Sequence, residues 1–205
     1  MQFMLGDYFT TMLVYEFDGI ITDIPWEAVK ENKAFDYKGF MTKASADTID
    51  DSFLITFCSM LALHDLIANC GEWRFKTYQI WNKRNTNFVN FHYPLRQVEF
   101  IAYFIKGTYQ FDFRNGQQSM CPKRKQVGLR ANDPAGRPEF SQGTYTEIVE
   151  YLNPRNKINK YEKPIEFSRM FRHIVGDKHV LDPFCGTGNL LKCFKSSTGM
   201  DIKKY

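Results

Sequence analysis

The stretch Thr22-Asp23-Ile24-Pro25-Trp26 sets a carboxylate and an indole directly behind the apolar run that begins at Phe17. A carboxylate accepts hydrogen bonds from amino groups, and an indole face stacks on flat rings. At a strand end, these residues are either ordinary termination chemistry or a pocket that grips something flat and polar. A second such stretch, HVLDPFCGTGNLL, runs an apolar strand into Asp182, then a turn with Gly186 and Gly188, then a helix expected to begin near Asn189. Glycines let the backbone pass close to a ligand, and a helix N-terminus offers unpaired N–H groups. A tight strand-to-helix connection has the same composition. No Lys-Ser or Lys-Thr pair follows the glycines, which argues against a phosphate-gripping P-loop. The next strand ends at Met200 and Asp201, where an acidic side chain could hold a ribose diol or simply be solvated.

The elements that must position these residues alternate. A short opening strand, a turn at Gly6 and Asp7 and a helical turn or two lead to the strand from Phe17 to Thr22. DSFLITFCSM is a nearly continuous apolar strand, and LALHDLIANCG has apolar residues at helical spacing with a stop at Gly71. Such alternation predicts a parallel sheet covered on both faces. RFKTYQIWNK and RQVEFIAYFIKG are two more strands, expected to pair at the sheet edge. Residues 107–162 lose periodicity and collect Gly, Pro, Asn, Gln and basic residues, as an insertion does. KPIEFSRMFRHIV then has the spacing of an amphipathic helix.

At 205 residues and 43% hydrophobic content, the chain has room for one sizeable core. Aromatic residues reach 16%, more than a core needs, so some are available for stacking. No apolar run spans a bilayer, so a soluble, intracellular protein without membrane contact is expected. The five cysteines form no CxxC pair and the four histidines lack metal spacing, which argues against disulfides and against a metal. Residues 1–108 hold 10 Lys and Arg against 13 Asp and Glu, residues 109–164 hold 10 against 6, and residues 165–205 hold 7 against 4. A basic second half on a near-neutral body suits a polyanion partner.

LDPFCGTGNLL resembles the cofactor motif of the S-adenosylmethionine-dependent DNA amino-methyltransferases, and TDIPW resembles their catalytic Asp-Pro-Pro-aromatic tetrapeptide. The order, catalytic tetrapeptide first and Gly-rich motif near the C-terminus, is similar to the family's permuted beta group. LGDYFTTML, YQIWNK, LRQVEFIAYFIKG and EKPIEFSRMFRHI resemble further segments of that group in the same order.

The resemblance implies an α/β, Rossmann-like class I methyltransferase fold with a seven-stranded mixed sheet and helices on both faces. Residues 1–108 would form the catalytic half, 109–160 a small inserted target recognition region and 161–205 the cofactor-binding half. S-adenosylmethionine would meet Asp182, Pro183, Phe184, Gly186 and Gly188 with its methionine part, and Asn189 would also belong to its site. Asp201 would take the ribose hydroxyls, Asp7 would sit near the adenine, and Lys163 and Pro164 would lie at the amino-acid end, where Glu162 replaces a common Gln. Asp23 and the Ile24 carbonyl would be the two acceptors for the target amino group, with Pro25 shaping the turn and Trp26 stacking on an extruded base. Ile24 stands where the family has proline, but preceding Pro25 biases it toward the same extended backbone.

Asp at the first position is more similar to adenine-N6 enzymes than to cytosine-N4 enzymes, which usually carry Ser. The alternatives are cytosine-N4 methylation and a catalytically silent DNA-binding protein that keeps the fold. In the recognition region, Arg114, Lys123, Arg124, Lys125, Arg130 and Arg137 are the candidates for DNA contact, with Tyr109, Phe111 and Phe113 as wedges or packing residues. Its small size implies a short target or help from a second subunit in a homodimer. The polar segment behind Trp26, residues 27–51, reads as a mobile loop. A compact enzyme of this sort suits the bacterial cytoplasm, encoded by the cell or by a phage.

Overall fold

The computed structural model describes residues 1–25, 35–83, 97–114, 145–154 and 162–203. In chain order they form β1 (Gln2–Leu5), β2 (Phe17–Asp23), α1 (Tyr37–Ala46), β3 (Thr48–Cys58), α2 (Met60–Ala68), β4 (Arg74–Asn82), β5 (Val98–Ile105), β6 (Ile148–Val149), α3 (Ile165–Val175), β7 (Val180–Asp182) and β8 (Ser197–Asp201). The strands make one sheet in the order β1-β8-β7-β2-β3-β5-β4-β6. β5 runs antiparallel to both β3 and β4, and every other pairing is parallel. This is the mixed sheet that the resemblance implies, with the two-residue β6 as an eighth strand outside β4; the apolar alternation predicts a parallel sheet, and antiparallel β5 departs from it. The strands of residues 1–108 and those of 161–205 interleave in it.

Both faces are covered, which is why the strands read as unbroken apolar runs. Ile20, Leu54, Ala102 and Phe104 point to one face and pack with Phe40, Met41 and Ala44 of α1 and Ala62, Leu63 and Leu66 of α2. Ile21, Phe53, Ile55, Phe57, Ile101 and Tyr103 point to the other face, toward α3. On α3, Phe167, Met170, Phe171, Ile174 and Val175 are buried while Glu166, Arg169 and His173 are exposed, the stripe expected of an amphipathic helix.

Three local expectations are corrected. The segment between β1 and β2 forms turns around Asp7 and no helix: the Asp7 carboxylate accepts from Phe9 N and its carbonyl from Thr10 N and Thr11 N. That local bonding competes with a helix, and β-branched Thr10, Thr11 and Val14 disfavour one. Residues 37–46, read as part of a polar loop, form α1; Asp36 caps it by accepting from Gly39 N at 2.9 Å, and its apolar face is buried. The strands β4 and β5 do pair, but β5 lies inside the sheet between β3 and β4, and β6 occupies the edge.

Gly19 in β2 faces the Phe53 ring, and a Cβ built there would lie 2.6 Å from three ring atoms. The ring is itself held by Tyr109 at 5.0 Å and Phe111 at 6.0 Å, so it has nowhere to retreat. Gly19→Ala should therefore lower the unfolding free energy by about 1 to 3 kcal/mol in urea titrations.

Candidate active site

The parallel neighbours β8, β7 and β2 end side by side on Asp201, Asp182 and Asp23. From β7 the chain passes to β8 on one side and from β2 to β3 on the other, so the crevice between them is a topological switch point. A cavity of about 420 Å³ opens there. Asp23, Ile24 and Pro25 line it together with Asp7, Lys163, Asp182, Pro183 and Phe184. Gly186, Asn189 and Asp201 complete the polar side, and Tyr8, Phe9 and Phe35 the aromatic one. Phe184 is the centre of that aromatic wall, with ring centroids 5.9 Å from Tyr8, 5.8 Å from Phe35 and 6.0 Å from Phe40.

The turn after β7 is tightened by its own backbone. Cys185 N donates to Met200 O at 2.8 Å, Gly186 N to Asp201 Oδ2 at 2.9 Å and Gly188 N to Cys185 O at 2.7 Å. Gly186, at φ +51°, takes the left-handed turn that a side chain would resist. The helix expected near Asn189 is absent: Leu191 N bonds Gly188 O and Phe194 N bonds Leu191 O, three-residue turns instead of helical ones. Residues 189–196 alone separate Gly188 from β8, too few for a helix and a return to the sheet. Gly186 brings its backbone to the cavity wall while Gly188 packs against Met1, and the expected helix N-terminus is absent.

A dipeptide from outside the turn holds it. The Glu162 carboxylate accepts from Thr187 Oγ1 at 3.1 Å and from Asn189 Nδ2 at 2.6 Å, and Asn189 Nδ2 also donates to Lys163 O at 3.0 Å. The Lys163 ammonium turns the other way. It lies 2.8 Å from Asp23 Oδ2 and 2.9 Å from Glu99 Oε2, and Glu99 in turn pairs with Lys83. Its Nζ also sits 4.9 Å from the Phe57 ring centroid and 5.7 Å from that of Trp81. Burial alone would lower the Lys163 pKa, but the carboxylates of Asp23 and Glu99 outweigh it and leave the group pushed up to about 12. Burial likewise raises Glu99, and the Lys163 and Lys83 ammonium groups bring it below its ordinary value.

Asp182 is buried at the floor of the cavity. Thr22 Oγ1 donates to its Oδ1 at 2.6 Å and Phe184 N at 3.1 Å, tying the end of β2 to that of β7. Burial pushes this carboxyl up to about 7 against those two hydrogen bonds, with the charges of Asp23 and Asp201 adding to the rise.

Of the residues singled out from the sequence, two cofactor candidates stand apart from the cavity lining. Pro164 caps α3, and Gly188, at φ +76°, packs against Met1. Trp26, Lys123, Arg124, Lys125, Arg130 and Arg137 lie outside the described residues. Arg114 is exposed and turned onto Asp112, with Nε 2.9 Å from Oδ1 and Nη2 2.9 Å from Oδ2. Tyr109, Phe111 and Phe113 pack under the sheet against Phe53 and Tyr103, so packing is their role. Sequence reasoning gave no site role to Glu99, Lys83, Thr22 or Thr187, though the first three stand in segments that carry the resemblance. Glu99 was findable: it is a lone acid in the apolar strand VEFIAYFI, a pattern that calls for a buried cationic partner.

The chain superposes on the crystal structure of M1.HpyAVI with a TM-score of 0.68 and 18% sequence identity, over 99% of this chain and 92% of that one. On the M1.HpyAVI-SAM complex the TM-score is 0.68 and the identity 17%, over 98% and 92%. No protein-family model matches the sequence, and no curated protein matches it at a significant level. The likeness shows the fold, the Rossmann-like α/β fold of class I methyltransferases. Among the described residues, no group of three or more His, Cys, Asp or Glu side chains could hold a metal, and no helix is long and apolar enough to cross a membrane.

Asp182 gives the site a pH signature. With its pKa raised from 3.8 to about 7, the folded chain holds a proton there that the unfolded chain has already released. Its contribution to stability is therefore complete below about pH 4 and is lost as pH rises through 7. Asp182→Asn should flatten that decline, read as melting temperature against pH from 4 to 8.

Proposed function

We propose that this protein transfers a methyl group from S-adenosylmethionine to the N6 amino group of adenine in DNA, with the target base turned out of the helix into the pocket of residues 23–26. The observation that carries the reading is one cavity with Asp23 at one end and the glycine turn with Asp201 at the other. Two further facts support it: the fold likeness extends to a solved complex of M1.HpyAVI with SAM, and the aromatic wall around Phe184 suits a planar ring.

The residues present fit the cofactor. Asp7, Glu162, Asp182 and Asp201 stand around the cavity, and such a set of carboxyl groups suits a cationic ligand. A ribose diol suits Asp201, since the carboxylate that accepts from Gly186 N and Lys203 N keeps lone pairs for a ligand hydroxyl. Bound there, S-adenosylmethionine supplies an electrophilic methyl group on a positively charged sulfur.

The protein's part is positioning. An exocyclic amino nitrogen is a poor nucleophile because its lone pair is delocalised into the ring. Asp23 and the Ile24 carbonyl, aimed at its two N–H groups, favour a pyramidal nitrogen whose lone pair is free for in-line attack. As the new N–C bond forms, the S–C bond breaks and the sulfur becomes neutral; the nitrogen then loses one proton to solvent. Ile24 is 2% exposed and packed in the core, which holds its backbone where a second proline would otherwise do so. DNA is the partner this reading requires, with residues 109–160 as the recognition region and the bacterial cytoplasm as the place of work.

The test is incubation with labelled S-adenosylmethionine and mixed-sequence duplex DNA, followed by digestion to nucleosides. Label in N6-methyldeoxyadenosine is expected. Label in N4-methyldeoxycytidine would replace adenine by cytosine, and no label despite cofactor and DNA binding would make the chain a silent DNA-binding protein. Asp23→Ala should lower kcat by at least about 100-fold while cofactor affinity, measured by calorimetry, stays unchanged.

A further inference from the structure

The chain Asp23, Lys163, Glu99, Lys83 is more elaborate than stability requires. A buried ion pair is about as stable when both partners are replaced by neutral groups, so the four charges call for another reason. The two inner groups are the most enclosed, with side chains 8% exposed for both Lys163 and Glu99, against 15% for Asp23 and 15% for Lys83. The order of burial therefore runs from Asp23 at the cavity inward to Lys163 and Glu99 and out again to Lys83. Lys163 Nζ meets one oxygen of Asp23, Oδ2, while Phe57 and Trp81 close in on the ammonium. That contact fixes the rotation of the Asp23 carboxylate where it lines the cavity. The same residue's carbonyl holds Asn189, and its neighbour Glu162 holds Thr187, so one dipeptide spans from the glycine turn to Asp23.

We infer that Lys163 is a positioning residue for transfer, acting through Asp23: anchored by Glu99, it orients the carboxylate that accepts the target amino group. This deepens the proposed methyl transfer and rests on it. It differs from a role for the Lys163 side chain at the amino-acid end of the cofactor, because the ammonium is turned to Asp23 and Glu99.

Lys163→Met alone leaves two carboxylates facing the gap and should lower the melting temperature. The decisive protein is the double variant Lys163→Met/Glu99→Gln, which removes the two most enclosed charges, one of each sign, and should regain the wild-type melting temperature. Its kcat for labelled methyl transfer to DNA should still fall about 100-fold, the cost of losing orientation at the reacting centre, with KM for DNA and Kd for S-adenosylhomocysteine unchanged. Wild-type kcat in the double variant would make the network purely structural and overturn the inference. A loss of S-adenosylhomocysteine affinity that accounts for the loss of rate would overturn it in favour of a cofactor contact. Should the double variant not fold, Glu99→Gln alone carries the test: a fall in kcat at constant S-adenosylhomocysteine affinity is expected, and unchanged kcat overturns it. Absence of transfer by the wild-type protein would overturn the methyl-transfer reading itself and this inference with it, whereas failure in the variants alone leaves that reading standing.

Discussion

The Lys163 ammonium stands where three separate parts of the chain meet: the end of β2 at Asp23, the start of β5 at Glu99 and the residues leading into α3. A charge so enclosed is tolerated only with its partners in place, because an ammonium left unpaired in apolar surroundings costs several kcal/mol. Phe57 on β3 and Trp81 on β4 supply those surroundings, so four strands and one helix are set against one another by a single side chain. The constraint extends to the glycine turn, since Glu162 and the Lys163 carbonyl hold Thr187 and Asn189.

The sheet makes this meeting possible. Parallel strands deliver their last residues to one edge, and the adjacency of β8, β7 and β2 turns three distant aspartates into one wall. Thr22 and Asp182 sew the central pair together by a hydrogen bond across 160 residues of sequence. Below that edge the two aromatic-rich cores hold the strands rigid, and Phe167, stacked on Phe171 at 5.8 Å and edge-on to Phe57 at 4.9 Å, seats α3 so that the residues ahead of it reach the cavity.

Much of this was legible. The apolar runs of β2, β3 and β5 and the stripe of α3 appear as such because burial on two faces and on one stripe leaves different periods in the sequence. Asp23, Asp182 and Asp201 were visible as acids at strand ends. Helix α1 was missed because residues 27–51 are polar on average, although Asp36 followed by Tyr37, Phe40, Met41 and Ala44 is a capped helical face. The helix expected after Gly188 fails for a reason of distance: the chain must return to β8 within eight residues.

By itself, the sequence determined the long apolar strands and which acids and aromatics stand at the ends of β2, β7 and β8, because these follow from local patterning and backbone chemistry; the two-residue β6 left no such pattern. Only the tertiary structure decided what those residues face. From sequence, the resemblance puts Lys163 at the amino-acid end of the cofactor; that its ammonium lies between Asp23 and Glu99 depends on strand order and on the seat of α3. Partners 140 and 64 positions apart in the chain are chosen by the sheet, since Coulomb energy in a buried site depends on distance in space and leaves no periodicity in the sequence.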